Sequence, residues 1–495
     1  MILHFNLKSI LENNGVNNNL DYKNKYENLY LAVKKAILNG TLKPETRLPP
    51  SRVLAVDLNI SRSTVLKAFD LLILENYIKS IKGSGYYVLM FNNSENPLNR
   101  SSNTLTGKYP SISNIGNAFK KNIHSINSSY GKSIAFSPGL PPLDIFPINK
   151  WKNILNDYWS TVRPSELSYS ESIGLECLRE NIADYLKIYR NIDCNSNQIV
   201  ITSGSLHSLF LLANVLIDKN DEVVMENPTY PNAYSLFKSF KANIKHTSID
   251  DEGLVIKNIL CESPKFIYTT PSNQYPLGVK MSLNRRNELL AWASLKNTFI
   301  IEDDYNHEIS NWEQPISSIY SLDNQERVIY LGTFNKLLHP SIRLGYMIVP
   351  NYLLDAISAF YAQSSRFISP ALQKAMSVFI EKDYLNKHLR NVIQISKERK
   401  SVFINEFNRL FENDMNLIDN NTGLHLIANF VKKMSDIQLS QHLSKDNITA
   451  HPLSKYYIDD TNKNGLVLGY SSVSTKSIKD NLEKMKRNID QFKKA

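Results

Sequence analysis

"GTFNKLLHPSIRLGYMIVP", Gly332 to Pro350, sets a single lysine, Lys336, between an apolar strand-like run and an arginine, Arg343. Most lysines are solvated surface charges, so Lys336 takes its meaning from its surroundings. Working outward, strand-like runs recur: "QIVITSG", "DEVVMENP", "KFIYTTP", "TFIIEDDY", "RVIYLGTF" and "LGYMIVP". Helical stretches such as Ser282 to Lys296 lie between several of them. Apolar runs that end in polar or glycine-bearing loops suit an α/β fold with a largely parallel sheet, whose ligands sit at the carboxyl ends of the strands.

Each strand end carries a group with a chemical use. "TSGSLHS" puts Gly204, Ser205 and Leu206 where a strand turns into a helix, so that free backbone N–H groups and a hydroxyl face an anion. "ENPTYPNAY" supplies an aromatic platform in Tyr230, and "TPSNQYPLG" an amide donor in Asn273. "IIEDDYNHE" supplies Asp303 and Tyr305, with Asp304 the competing acid. Thr333 and Arg343 add phosphate donors on either side of Lys336. These are the parts that lysine-bound pyridoxal phosphate requires: an amine for a Schiff base, an acid under the pyridine nitrogen, a donor to the phenolic oxygen, a phosphate cradle and a ring to stack on. Any one of them alone is an ordinary turn, packing ring or loop charge. Their joint occurrence after strand-like runs is the signal.

The chain has 495 residues, enough for two or three domains. Three cysteines, Cys177, Cys194 and Cys261, form no metal-ligand or CxxC spacing, which points to no metal centre and to a reducing, cytoplasmic setting. The start "MILHFNLKSILENN" has no basic n-region with a long apolar run, and no apolar stretch approaches the roughly 20 residues that span a bilayer. A secretory leader and a membrane role are therefore not expected. The formal net charge is +10. Asp21 to Met90 holds 11 Lys/Arg against 6 Asp/Glu, half the excess in about a seventh of the chain. A basic terminal module suits a polyanion partner.

That module, residues 1–90, reads as three helices and a hairpin. Tyr26, Leu29, Val33, Ala36 and Ile37 recur at helical spacing, and Gly40 ends the run. "LPPSRVLAVDL" opens a second helix with Ser51 as N-cap, and "NISRSTVLKAFDLLILENY" a third with Ser61 as N-cap and Val65, Ala68, Phe69 and Leu72 on one face. Only Asn59 and Ile60 separate Leu58 from Ser61, the tight joint of a helix-turn-helix. "YIKSIKGSGYYV" then gives two strands around a basic tip at Lys82 and Gly83. In a helix-turn-helix the third helix enters the major groove of double-stranded DNA by its N-terminal turn, here Arg62, Ser63 and Thr64. Arg52 and Lys82 are placed for phosphates. Residues 91–130, rich in Asn and Ser, read as a linker with a short helix near Asn117 to Ile123, and residues 131–495 as the large module.

"GTLKPETRLPPSRVLAVDLNISRSTVLKAFDLLILENYIKSIKGSGYYV" resembles the GntR-type winged helix along its whole length. From Lys132 on, "SPGLPPLDIFP", "LSYSESIGLECLRENIADYLK" and the motifs above resemble the fold-type I aspartate aminotransferase superfamily. The fusion resembles the MocR/GabR-type transcriptional regulators. The resemblance implies that Lys336 carries pyridoxal 5'-phosphate and that Asp303 pairs with the pyridine nitrogen. It implies that Tyr305 and Asn273 reach the phenolic oxygen, and that Tyr169 reaches the phosphate of a second subunit in a head-to-tail homodimer. Two departures stand out. Asn335 precedes the lysine where serine is usual. In "GLVLGYSS", Val467 occupies the place where amino-acid-using members carry a carboxylate-binding arginine; Arg366 is the alternative source of such a charge. The expected function is a DNA-binding regulator that senses pyridoxal phosphate or an amino-compound adduct of it. The alternative is an active aminotransferase carrying a DNA-binding domain.

Overall fold

The computed structural model describes residues 25–89, 110–123, 135–310, 316–419, 423–459 and 463–493. Of the expected linker, only 110–123 lies within the described residues. The chain divides into two compact units, Met1–Pro110 and Ser111–Ala495.

In the smaller unit, α1 (Lys25–Leu38) buries Leu29, Ala32, Val33, Ala36 and Ile37, and Gly40 follows in the left-handed region at φ +79°. Tyr26 is only half-buried, beside Glu27. Helix α2 (Ser51–Asp57) differs from expectation at its start: Pro50 is the N-cap, and Ser51 is already helical and buried. The proline's fixed φ suits this boundary, so the serine is not needed there and instead accepts from Arg62 Nε at 3.4 Å. Helix α3 (Arg62–Leu74) is capped as the sequence indicated, with Ser61 Oγ accepting from Thr64 N at 3.1 Å. It buries Val65, Ala68, Phe69 and Leu72. The ring of Phe69 packs 4.7 Å from that of Tyr86, tying the helix to the hairpin. The hairpin pairs β1 (Ile78–Ile81) with β2 (Gly85–Val88), from Ile78 opposite Val88 to Ile81 opposite Gly85, which leaves Lys82 and Gly83 at an exposed tip.

The larger unit is built on an eight-stranded sheet. In chain order its strands are β3 (Ile199–Thr202), β4 (Glu222–Asn227), β5 (Asn243–Asp250), β6 (Gly253–Leu254), β7 (Phe266–Thr269), β8 (Phe299–Asp303), β9 (Val328–Thr333) and β10 (Gly345–Ile348). Their spatial order is β3-β10-β9-β8-β7-β4-β5-β6. All six strands read from the sequence are present. The sheet is mixed: β10 runs antiparallel to both β3 and β9, and β6 antiparallel to β5, while β5, β4, β7, β8 and β9 are mutually parallel. The reversal of β10 follows from the short chain between Thr333 and Gly345, which returns directly instead of crossing over. Because β3 lies opposite β10, it too points the same way as β9. The carboxyl ends of β3, β4, β7, β8 and β9 and the start of β10 therefore share one edge.

Apolar side chains fill both faces of this sheet, among them Ile199, Ile201, Tyr330 and Ile348 on one side and Val200, Met225, Tyr268 and Leu331 on the other. A second sheet of four strands, β11 (Met415–Ile418), β12 (His425–Phe430), β13 (His451–Pro452) and β14 (Gly465–Gly469), packs with the helices Tyr384–Phe411 and Thr475–Phe492. The helix Asn114–Asn122, close to the one expected at 117–123, rests on the larger unit: the Phe119 ring lies 5.6 Å from Phe240, and Asn122 Nδ2 donates to Ser239 Oγ at 2.9 Å. Among the described residues no helix is long and apolar enough to cross a membrane.

Candidate functional site

The shared strand edge encloses a cavity of about 210 Å³. Its wall includes Lys336, Asp303, Tyr305, Tyr230, Ser205, Leu206, Thr333 and Arg343 from the expected set. Sequence reasoning did not single out Asn232, Tyr268, Thr270, Tyr275 and Pro340, which also line it.

Lys336 follows β9 and is half-buried. Burial lowers the pKa of its amine, against the opposing pull of the Asp303 carboxylate. Asp303 closes β8 and is 3% exposed. Burial pushes its carboxyl up to about 7, although Tyr268 OH donates to Oδ2 at 2.8 Å and Lys336 favours the charged form. Its Oδ1 is buried and has no hydrogen-bond partner. The neighbouring Asp304, one residue beyond β8, does not line the cavity. Burial alone would raise it, but Arg190 at 2.9 Å and Tyr330 OH at 2.8 Å hold its carboxyl below the usual carboxylate range. Each carboxylate keeps a buried Oδ1 without a partner, but only Asp303 lines the cavity, while Asp304 is committed to a buried ion pair with Arg190.

Tyr305 OH donates to the carbonyl of Asn273 at 3.1 Å and accepts from Asn273 Nδ2 at 2.9 Å. Asn273 stands behind Tyr305 and does not line the cavity itself. Tyr230 caps the helix Pro231–Ser239, and its hydroxyl accepts from Asn232 Nδ2 at 3.0 Å. The opposite end of the cavity is the N-terminus of the helix Ser205–Leu216, whose N-cap is Gly204 at φ +91°. A Cβ there would stand 2.4 Å from Asn335 Nδ2, so the glycine is required by both backbone and space. Helix N-termini leave their first amides unpaired and carry a partial positive charge, a ready anion site. Arg343, exposed and in the left-handed region at φ +48°, lies at this end and acts on His207. Asn335, where serine was expected, lines the cavity and accepts from Leu344 N at 3.1 Å, bracing the loop that carries Lys336. Gly139, not singled out from the sequence, lies against the lysine: a Cβ on it would stand 2.9 Å from Lys336 Nζ.

These residues fit pyridoxal phosphate. The orphaned Asp303 oxygen suits a protonated ring nitrogen, the helix N-terminus with Arg343 suits a phosphate, and the space that Gly139 leaves admits a group on Lys336. Tyr169 is 79% exposed and outside the cavity of its own chain. Arg366 lies over the Tyr169 ring at 5.0 Å and does not line the cavity either. Val467 is fully buried on β14, opposite Ile427 and His451.

In the smaller unit Arg52, Ser61, Arg62, Ser63, Lys82 and Gly83 are exposed, and Thr64 is half-buried. None of Arg52, Arg62 and Lys82 forms an ion pair among the described residues, so their charges face solvent. Arg47, not singled out from the sequence, bridges to Tyr87 and has its guanidinium 3.3 Å from where a Cβ on Gly85 would be, adding a cation beside the hairpin.

Residues 25–88 match the gntR family of bacterial regulatory proteins, and residues 134–483 the aminotransferase class I and II family, whose fold is used by pyridoxal-phosphate proteins. The chain is 30% identical over 93% of its length to the probable rhizopine catabolism regulatory protein MocR of Rhizobium meliloti, covering 93% of that protein. It is 26% identical over 89% of its length to the HTH-type pyridoxine biosynthesis transcriptional regulator PdxR of Corynebacterium glutamicum, covering 90% of it. The crystal structure of an archaeal alanine:glyoxylate aminotransferase superposes with a TM-score of 0.67 at 26% identity, over 77% of this chain and 96% of that one. The chain therefore belongs to the MocR-type regulators, in which a GntR winged helix is joined to a class I and II aminotransferase domain.

Proposed function

We propose that this protein is a transcriptional regulator whose larger unit binds pyridoxal 5'-phosphate at Lys336 and senses it, or an amino-compound adduct of it, to alter operator binding by the winged helix. The observation that carries the reading is the cavity pairing of Lys336 with Asp303, whose Oδ1 is buried and unpartnered. When bound, the cofactor supplies an aldehyde carbon that accepts an amine and a ring that withdraws electrons from it. Lys336 offers the amine, and burial keeps more of it unprotonated than a surface lysine. Asp303 would hold the proton of the ring nitrogen, Tyr305 would turn its O–H from the Asn273 carbonyl to the phenolic oxygen while Asn273 Nδ2 still donates to it, and Tyr230 would supply the ring to stack on. Ser205, Leu206, Thr333 and Arg343 take the phosphate beside Gly204. In DNA, Arg62, Ser63 and Thr64 read base edges, with Ser61 orienting the turn and Arg52, Lys82 and Gly83 on the backbone. The exposed Tyr169 is available to a second copy in a head-to-tail homodimer.

The competing reading, an aminotransferase with a DNA-binding appendage, is favoured by the same lysine, which is placed for proton transfer. A ligand shifts a two-state protein only by its differential affinity for the two states. Operator affinity measured with and without pyridoxal phosphate, beside a turnover assay on the same preparation, separates the two. Regulation by sensing requires a severalfold change in affinity. Sustained turnover with indifferent DNA binding refutes it.

A further inference from the structure

On the side of the cavity away from the Ser205 helix, the wall is aromatic and uncharged. Tyr275 lines the cavity, and its ring lies 5.8 Å from Tyr230, 5.7 Å from Tyr305 and 5.4 Å from Tyr456. Behind it, Tyr456 OH lies 3.1 Å from His451 Nδ1 and 3.3 Å from Tyr275 OH. Val467 packs with Tyr456 in the same cluster, and His425 meets Tyr275 edge-to-face at 5.2 Å. Burial first, then the nearby Lys336, holds both imidazoles down at about 4, so they are neutral near pH 7.

Among the described residues, the cations of the cavity wall are Lys336 and Arg343. Lys336 is committed to the bond with the cofactor and to its exchange, and Arg343 stands at the phosphate end. Buried arginines elsewhere in the unit are engaged: Arg190 with Asp304, and Arg399 with Asp144 and the Ser471 carbonyl. A carboxylate pressed against Tyr275 would lose its water with no further cation among the described residues of the wall to replace it, a costly burial. A neutral body meets tyrosine rings and hydroxyls there at no such cost.

We infer that the amino compound recognised at this site is a primary amine with an uncharged body and no carboxylate, seated against Tyr275, which Tyr456 backs. This rests on the proposed binding of the cofactor at Lys336. The exchange would balance without redox chemistry: starting from a protonated Schiff base, the incoming nitrogen would bond the cofactor's aldehyde carbon as the bond to Lys336 Nζ breaks, and the two protons lost by the incoming ammonium would pass to Lys336, which leaves as its own ammonium.

The test uses the full chain loaded with pyridoxal phosphate and two matched pairs, tyramine with tyrosine and phenethylamine with phenylalanine. Each is titrated while the cofactor's visible absorbance is followed. The expected result is that each amine shifts the spectrum with a Kd at least tenfold below that of its amino acid. Equal or tighter binding of the amino acids overturns the inference, and loss of that binding in Arg343→Gln would name the cation that was overlooked. No spectral change with either member of a pair overturns it too, while leaving cofactor binding intact. Failure to load the cofactor at all overturns this inference together with the reading on which it rests.

Discussion

Replacing Asp303 by asparagine, with Asp304→Asn beside it, separates two adjacent carboxylates by what each one does. Asp303 keeps one oxygen on Tyr268 and leaves Oδ1 bare in the cavity wall. A charge-assisted hydrogen bond from a ring nitrogen to that oxygen is worth about 1.5–3 kcal/mol, so Asp303→Asn should raise the cofactor Kd by about 10- to 150-fold. Stability should move the other way. Burial raises the folded carboxyl to about 7 from its ordinary 3.8, a penalty of about 4 kcal/mol on the charged form. With the folded value above the unfolded one, the group's contribution to stability is intact below about pH 4 and is lost as pH rises through about 7. Cofactor-free Asp303→Asn should therefore show a flatter decline in melting temperature over that range than the unaltered protein. Asp304 is held low by its buried pairing with Arg190, so Asp304→Asn should destabilise the fold by about 3–5 kcal/mol at pH 7. Absorbance titration gives the Kd, and thermal melts from pH 4 to 8 give the stability. An unchanged Kd in Asp303→Asn, with a large loss in a folded Asp304→Asn, would show that the wrong acid has been placed under the ring.

The remaining predictions concern both units. Borohydride reduction of the yellow protein should fix the cofactor on the peptide containing Lys336; Lys336→Ala should be colourless, bind operator DNA and lose its response to pyridoxal phosphate, and fixation on another lysine refutes this. Gly204→Ala forces a Cβ into Asn335 at a backbone angle hostile to alanine, so it should weaken cofactor binding at least tenfold, read by the same titration. Arg62→Ala should cost about 1–3 kcal/mol of operator affinity and relax specificity at one base pair, while Lys82→Ala should weaken all sequences alike and flatten the salt dependence; binding to base-substituted operators at several salt concentrations checks both. Phe69→Ala empties a fully buried site against Tyr86 and should destabilise the winged helix by about 3–5 kcal/mol, measured by denaturant unfolding.

Local pattern was enough wherever one element's chemistry stands alone. The helices at Lys25 and Arg62 announce themselves by 3.6-residue apolar spacing, and Ser61 by the hydroxyl that caps its own turn. The central strands are legible because both their faces are buried, which leaves continuous apolar runs. Strand β5, "NIKHTSID", was missed because it lies near the sheet edge with one face in water and carries no such run. The second sheet was missed because its strands pair across long separations, β12 with β14 and β14 with β13, and pairing partners leave no local mark. The choice between Asp303 and Asp304 was open in the sequence, since the two are adjacent; the fold sets one in the cavity wall and pairs the other with Arg190. Tyr275 could not be recognised as part of the cavity, nor Gly139 as the neighbour of Lys336, until separate loops met at one strand edge. Sequence by itself determined the two modules and the chemical inventory, because those depend on residue type and local period. Tertiary structure decided which carboxylate faces the cavity, which arginines are already spoken for and what walls the cavity, because burial and partnership are properties of the packed chain.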